Sequence, residues 1–274
     1  MSYKSILVAI DGSAENDRCV EVAARLAGEH GGHLTGLAIV PPLELPQRLR
    51  SHPGAKAILT EEFEKALAAA NALVAAFPER ARASGARSAD ARVAKSEAFA
   101  GLAAAARTAD LVVLGQPAED DLGALGAHFV ETAVLELGRP VLLVPRKGAL
   151  RKVGERILVA WKNASASARA LADARPLLAA AHSIVVLTVA EDGAGASAEE
   201  PLAYLKRHGV KAQPTSVSVE ADDAGEAILA QAKKADADLV VMGAFARTRF
   251  AEMILGGATN RVLRDMRTCV LMSH

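Results

Sequence analysis

The chain has 274 residues, with 32 Lys plus Arg against 32 Asp plus Glu, and half of its residues are apolar while only 3% are aromatic. The balanced charge, without a long basic run, excludes nucleic acid as the natural partner, and no apolar stretch reaches the roughly 18 uninterrupted residues of a membrane span. Met1-Ser2-Tyr3-Lys4 runs straight into a strand-like segment, leaving no room for a signal peptide, and Cys19 and Cys269 sit in apolar contexts, as reduced core thiols of a cytoplasmic protein do.

In chain order, hydrophobic periodicity predicts strand 5–10, helix 14–30, strand 34–40, helix 57–83, strand 90–94, helix 97–107, strand 110–114, helix 126–137 and strand 140–144. A second series follows: strand 156–161, helix 165–181, strand 183–189, helix 198–208, strand 214–219, helix 223–235, strand 238–242, helix 257–265 and strand 268–272. The two series are a repeat. Ile6-Leu7-Val8-Ala9 returns as Ile157-Leu158-Val159-Ala160, and Ala109-Asp110-Leu111-Val112-Val113-Leu114-Gly115 as Ala237-Asp238-Leu239-Val240-Val241-Met242-Gly243. These segments are 103 residues apart in the first half and 80 in the second, so the first half carries 23 extra residues, assigned to 41–63, a proline-rich loop after the second strand leading into a longer helix.

Strand–helix alternation demands a mostly parallel sheet with helices on both faces. The expected fold is α/β: two doubly wound parallel five-stranded sheets of order 3-2-1-4-5 in tandem, residues 1–147 and 155–274, joined by the polar linker 146–154. Ligands of such sheets sit beyond the carboxyl ends of strands 1 and 4, where the order reverses.

That rule selects four loops. In the first half, Asp11-Gly12-Ser13 follows strand 1; Asp11 could accept from a ribose hydroxyl or help hold a metal, and Ser13 is equally placed to cap a helix. The partner loop after strand 4 contains Glu119-Asp120-Asp121, which would repel a polyphosphate, and His128 aligns with Gly256 of the second half. In the second half, Lys162 stands where Asp11 does, either drawing an anion or lying solvated on the surface. Its strand 4 loop carries Gly243, Gly256 and Gly257, with Arg247 and Arg249 between them, ahead of a helical stretch holding Thr259. Glycines before a helix start make a phosphate site, because bare N–H groups and the dipole favour negative charge; they also make plain turns. Asp222 and Asp223 read as helix caps, and His30 and His33 as a solvent-exposed turn rather than a metal site.

The segments Val8–Ser13, ADLVVLG, ADLVVMG and LGGATNRVLRDMRTCVLMSH resemble the universal stress protein domain, and the whole chain is similar to a tandem member of that family. The resemblance implies an adenine-nucleotide fold with a G-x2-G-x9-G-[ST] phosphate loop after strand 4. On this chain the first glycine is Gly243 and the third is Gly256, while Ala246 takes the second place and Gly257 the hydroxyl place, with Thr259 two residues on. It further implies a ribose contact at Asp11, adenine near Val40 or Val189, and domain pairing through strand 5 of each half, around 141–144 and 270–271, as an internal pseudo-dimer.

No G-x4-G-K-[ST] loop occurs, so a P-loop ATPase is excluded, and the G-x-S-x-G nucleophile elbow is absent as well. The expectation is a non-enzymatic cytoplasmic stress protein that binds ATP, with or without Mg2+, in its second half as a regulatory ligand. Its partners would be protein partners or further copies of itself. Two rivals stay open: a nucleotide-free scaffold with both pockets degenerate, and a slow ATP hydrolase.

Overall fold

The structure is a computed structural model that describes residues 2–43, 54–117, 127–148, 150, 152–191, 197–219, 223–244 and 257–274. The first half contains β1 (Ser5–Ala9), α1 (Ala14–His30), β2 (His33–Ile39), α2 (Ala55–Ala83), β3 (Ser88–Ala94), α3 (Ala98–Ala106), β4 (Leu111–Gly115), α4 (Ala127–Glu136) and β5 (Val141–Val144). The second contains β6 (Arg156–Trp161), α5 (Ser165–Asp173), α6 (Arg175–Leu178), β7 (Ser183–Glu191), α7 (Glu199–Arg207), β8 (Gln213–Val219), α8 (Ala224–Lys234), β9 (Leu239–Gly243), α9 (Gly257–Asp265) and β10 (Cys269–Ser273).

Two separate five-stranded sheets do not form. The strands make one ten-stranded sheet of order β3-β2-β1-β4-β5-β10-β9-β6-β7-β8. Within each half the pairs are parallel, but β5 and β10 meet antiparallel, with Val141 opposite Met272, Leu142 opposite Leu271 and Leu143 opposite Val270. The cause is the composition of these strands: VLLV and CVLMS are buried at every position, and an apolar edge left open would pair with any available strand.

Alternation along the strands divides the core in two. Ile6 and Val8 pack with α1, α2, α5 and α7 on one face of the sheet, and Leu7 and Ala9 with α3, α4, α8 and α9 on the other. Both cores continue across the seam between β5 and β10. The repeated Ala-Asp pair has a mechanical role at the start of each central strand. Asp110 Oδ2 accepts the N–H groups of Lys4 and Ser5 at 2.7 and 3.0 Å. The buried Asp238 accepts from Gly154, Glu155 and Arg156 at 2.6, 3.0 and 2.8 Å. Each aspartate thereby pins its strand 4 to strand 1 in register.

Several expectations need correction. The helix expected over 165–181 breaks after Asp173, because Pro176 has no N–H to continue the ladder. The long helix expected over 57–83 forms as α2, with 29 residues against nine in α7, and begins two residues earlier at Ala55; residues 44–53 of the loop ahead of it lie outside the described residues. Asp223 occupies the cap position of α8 without a side-chain cap bond, and Asp222 lies outside the described residues. The stretch 146–154 is strapped to α1, with Arg18 donating to the carbonyls of Pro145 and Gly148 at 3.0 and 2.8 Å and Lys152 lying 3.7 Å from Glu29. Tyr3 further joins the halves by donating to the Asp173 carbonyl at 2.6 Å. No helix among the described residues is long and apolar enough to cross a membrane.

Replacing Asp238 by Ala leaves three N–H groups without their acceptor in a buried setting. Denaturant unfolding is expected to show a loss of about 3 kcal/mol. The same change at the exposed Asp110 should cost less than half of that.

Candidate functional site

The two places where the strand order reverses within a half are built differently. In the first half, Asp11 Oδ1 accepts the Ser13 N–H at 2.7 Å, and Ser13 Oγ accepts the Asn16 N–H at 3.1 Å, so the turn and the cap of α1 are nested. Asn16 locks the turn to the strand: its amide donates to the Ala9 carbonyl at 2.7 Å and accepts the Asp11 N–H at 3.3 Å. Among the described residues, the second carboxylate oxygen of Asp11 accepts no hydrogen bond.

Asp11 lines a cleft of about 330 Å³ between β1, β4 and β5, within the range of small-molecule sites. Leu114, Phe129, Val130 and Val144 give it an apolar wall, and Asp11, Glu15, Gln116 and Arg146 supply the polar groups. The Arg146 guanidinium lies 4.0 Å from the Glu15 carboxylate. Cys19 also lines the cleft, but burial pushes its thiol up to about 12, so it is a protonated wall group rather than a nucleophile; burial raises the core thiol of Cys269 likewise to about 12.

In the second half the corresponding space is filled. A Cβ on Gly243 would lie 2.4 Å from the Ser167 nitrogen and 2.5 Å from the Ala166 carbonyl carbon, so the start of α5 rests directly on the end of β9. On Gly115 the same atom would meet Cys19 Sγ at 3.5 Å, an ordinary contact. Gly243 is therefore required for packing, whatever else it does. The repeat alignment explains the difference: α1 begins with Glu15 and Asn16, whereas α5 has the small Ala166 and Ser167 at those places and can settle closer.

The other expected site residues lie on several elements. Lys162 lies exposed just after β6, and Val189 lies in β7 opposite Val217. Gly257 is the exposed first residue of α9, and Thr259 is buried one turn into that nine-residue helix. Ala246, Arg247, Arg249 and Gly256 lie outside the described residues, as do Glu119, Asp120 and Asp121. Val40 is buried and donates to the Ala94 carbonyl at 2.9 Å. The two histidines of the 30–33 turn point to different partners. His30 meets the Tyr3 ring edge-on at 5.1 Å, and His33 lies 2.7 Å from Ser88 Oγ and 3.4 Å from Asp90.

Sequence reasoning passed over Asn16, Glu15, Gln116 and Arg146. Gln116 carried a usable signal, because the repeat aligns it with Ala244 directly after the glycine that both halves share. The backbone confirms that equivalence: Gln116 N–H donates to Val144 at 2.8 Å, and Ala244 N–H to Ser273 at 2.9 Å. Only the first half puts an amide there.

Gly243→Ala is expected to destabilise the protein by about 2 kcal/mol or more, since backbone atoms of α5 must give way. Gly115→Ala should stay within about 1 kcal/mol of the parent in the same thermal or denaturant melt. Equal effects at the two positions would contradict the close seat of α5 on β9.

The universal stress protein family model matches this chain twice, over residues 2–145 and 154–274. Among solved structures, a universal stress protein from Archaeoglobus fulgidus DSM 4304 superimposes with a TM-score of 0.72 at 17% identity, covering 98% of this chain and 97% of that one. A functionally unknown protein from Pseudomonas aeruginosa PAO1 superimposes with a TM-score of 0.58 at 17% identity, covering 99% and 92%. Identities this low establish a shared fold. No curated protein matches the chain. Since the family pattern spans each half in turn, the chain belongs to the universal stress protein family and carries two of its domains in tandem.

Proposed function

We propose that the protein is a cytoplasmic regulator of the stress response rather than an enzyme, and that its ligand is an adenine nucleoside or monophosphate held in the first-half cleft. The observation that carries this reading is Asp11, whose carboxylate is fixed by the Ser13 N–H through one oxygen while the other remains able to accept from a hydroxyl. A ribose diol supplies such donors, and the wall of Leu114, Phe129 and Val130 suits the flat face of a base. Two acids, Asp11 and Glu15, against the single Arg146 disfavour a triphosphate.

A second reading keeps ATP, with or without Mg2+, on the second half. It is favoured by the start of α9 at Gly257, where first-turn N–H groups have no intrahelical acceptor. Lys162, Arg247, Gly256 and Thr259 would complete that site, with Ala246 in place of the family's second glycine. The close packing at Gly243 counts against it, because α5 occupies the space beside β9. If neither site is used, the duplicated sheet serves as a scaffold for protein partners.

Calorimetric titration with AMP and with ATP, each with and without Mg2+, separates these readings when repeated on Asp11→Asn and Gly256→Glu. The asparagine keeps an acceptor for Ser13 and loses the charge facing the ligand. AMP affinity is expected to fall about tenfold or more in Asp11→Asn and to persist in Gly256→Glu. ATP binding lost only in Gly256→Glu would transfer the site to the second half. No heat with any protein, together with an unchanged melting temperature at millimolar nucleotide, would leave the scaffold.

A further inference from the structure

Gln116 touches both halves of the molecule. It follows β4, lines the first-half cleft, and reaches across the seam: its Nε2 donates to the carbonyls of Leu263 at 3.0 Å and Arg264 at 2.7 Å. Those carbonyls belong to the last turn of α9, whose terminal C=O groups have no acceptor role inside the helix and carry its negative pole. The same amide accepts the Arg146 N–H through Oε1 at 3.1 Å. One planar group thus ties together the cleft wall, the end of β5 and the carboxyl end of a helix from the other half.

We propose that Gln116 couples the first-half cleft to α9, so that occupation of the cleft and the position of α9 control each other. The amide plane is rigid, and both of its donors are engaged on α9. A ligand that shifts Arg146 or the Gln116 backbone therefore moves or releases the helix end. Helix α9 is a poor place to absorb such a shift locally. A Cβ on Gly225 would lie 2.6 Å from Arg261 Cβ, so α8 and α9 are in tight contact, and Arg261 pairs with Glu226 at 3.2 Å and Asp265 at 2.7 Å. The displacement passes instead along the helix to Gly257, where the second half has its helix start at the carboxyl side of β9. The device is one-directional in the pseudo-symmetric pair, because Ala244 has no side-chain amide to return the contact. Reciprocity of the coupling free energy nevertheless holds, and an anion at the start of α9 would alter the affinity of the cleft by the same factor.

This inference rests on the cleft taking a ligand, so the test has an arm that needs none. In the first arm, hydrogen exchange of the amides in 257–265 is followed in the full-length chain and in Gln116→Met, each without AMP and at a concentration that saturates it. The expected result is a change of about fivefold or more in the parent and none in the variant. Measured AMP binding with no change in the parent, or with equal changes in both proteins, overturns the proposal. In the second arm the cleft is filled by substitution at Gly115, where, among the described residues, an added Cβ meets only Cys19 Sγ at 3.5 Å. Exchange in α9 should respond to Gly115→Leu and stop responding in Gly115→Leu/Gln116→Met, with Gly115→Val as the smaller filler and a cooperative melt required of each. An α9 indifferent to a filled cleft overturns the coupling whether or not AMP binds. A response in this arm together with no measurable AMP binding in the first supports the coupling and rejects AMP as the ligand.

Discussion

The structure depends on the antiparallel contact between β5 and β10. Each half by itself would end in a strand that is apolar on both faces, and such an edge has unpaired N–H and C=O groups beside a strip of exposed hydrocarbon. Pairing the two edges satisfies the backbone and lets both helical layers run on without a break. Further contacts between the halves accompany it: the strapping of 146–154 to α1, the Tyr3 hydroxyl on Asp173 and the amide of Gln116 on α9. These side chains hold the relative position that the seam sets.

Duplication normally yields two equivalent sites, and here the halves have diverged by what covers the strand ends. The glycine that ends β4 leaves room beneath α1, while its counterpart at the end of β9 is overlaid by α5. The start of α1 carries Glu15 and Asn16, where the start of α5 carries the small, buried Ala166 and Ser167.

The strands and most helices were legible because burial on alternate or continuous positions writes itself into the residue pattern; α1 and α9 match the expected bounds residue for residue. The long-range joint was not legible in periodicity, which describes what each strand buries but not which edge it meets; the family resemblance, not the pattern, is what pointed to strand 5 of each half. The break at Pro176 was visible in local chemistry, yet the apolar period continues through it and concealed the end of α5. At the site, Asp11 was legible from its position after strand 1. The packing role of Gly243 was hidden because it depends on a helix whose approach is set by its own small residues. Gln116 was hidden because its partners lie 147 and 148 residues away.

The order of synthesis gives the seam a further meaning. Strand β5 leaves the ribosome well before β10, separated from it by the whole of the second half. At translation speeds of about 5–20 residues per second, the edge Val141–Val144 waits on the order of 10 s for its partner. During that interval the nascent first half presents the kind of strand that recruits another chain, so neighbouring ribosomes on one message could exchange β10 strands. The protein's vulnerability to misassembly is therefore concentrated in four residues and in a time window, and slower translation of the second half would lengthen it.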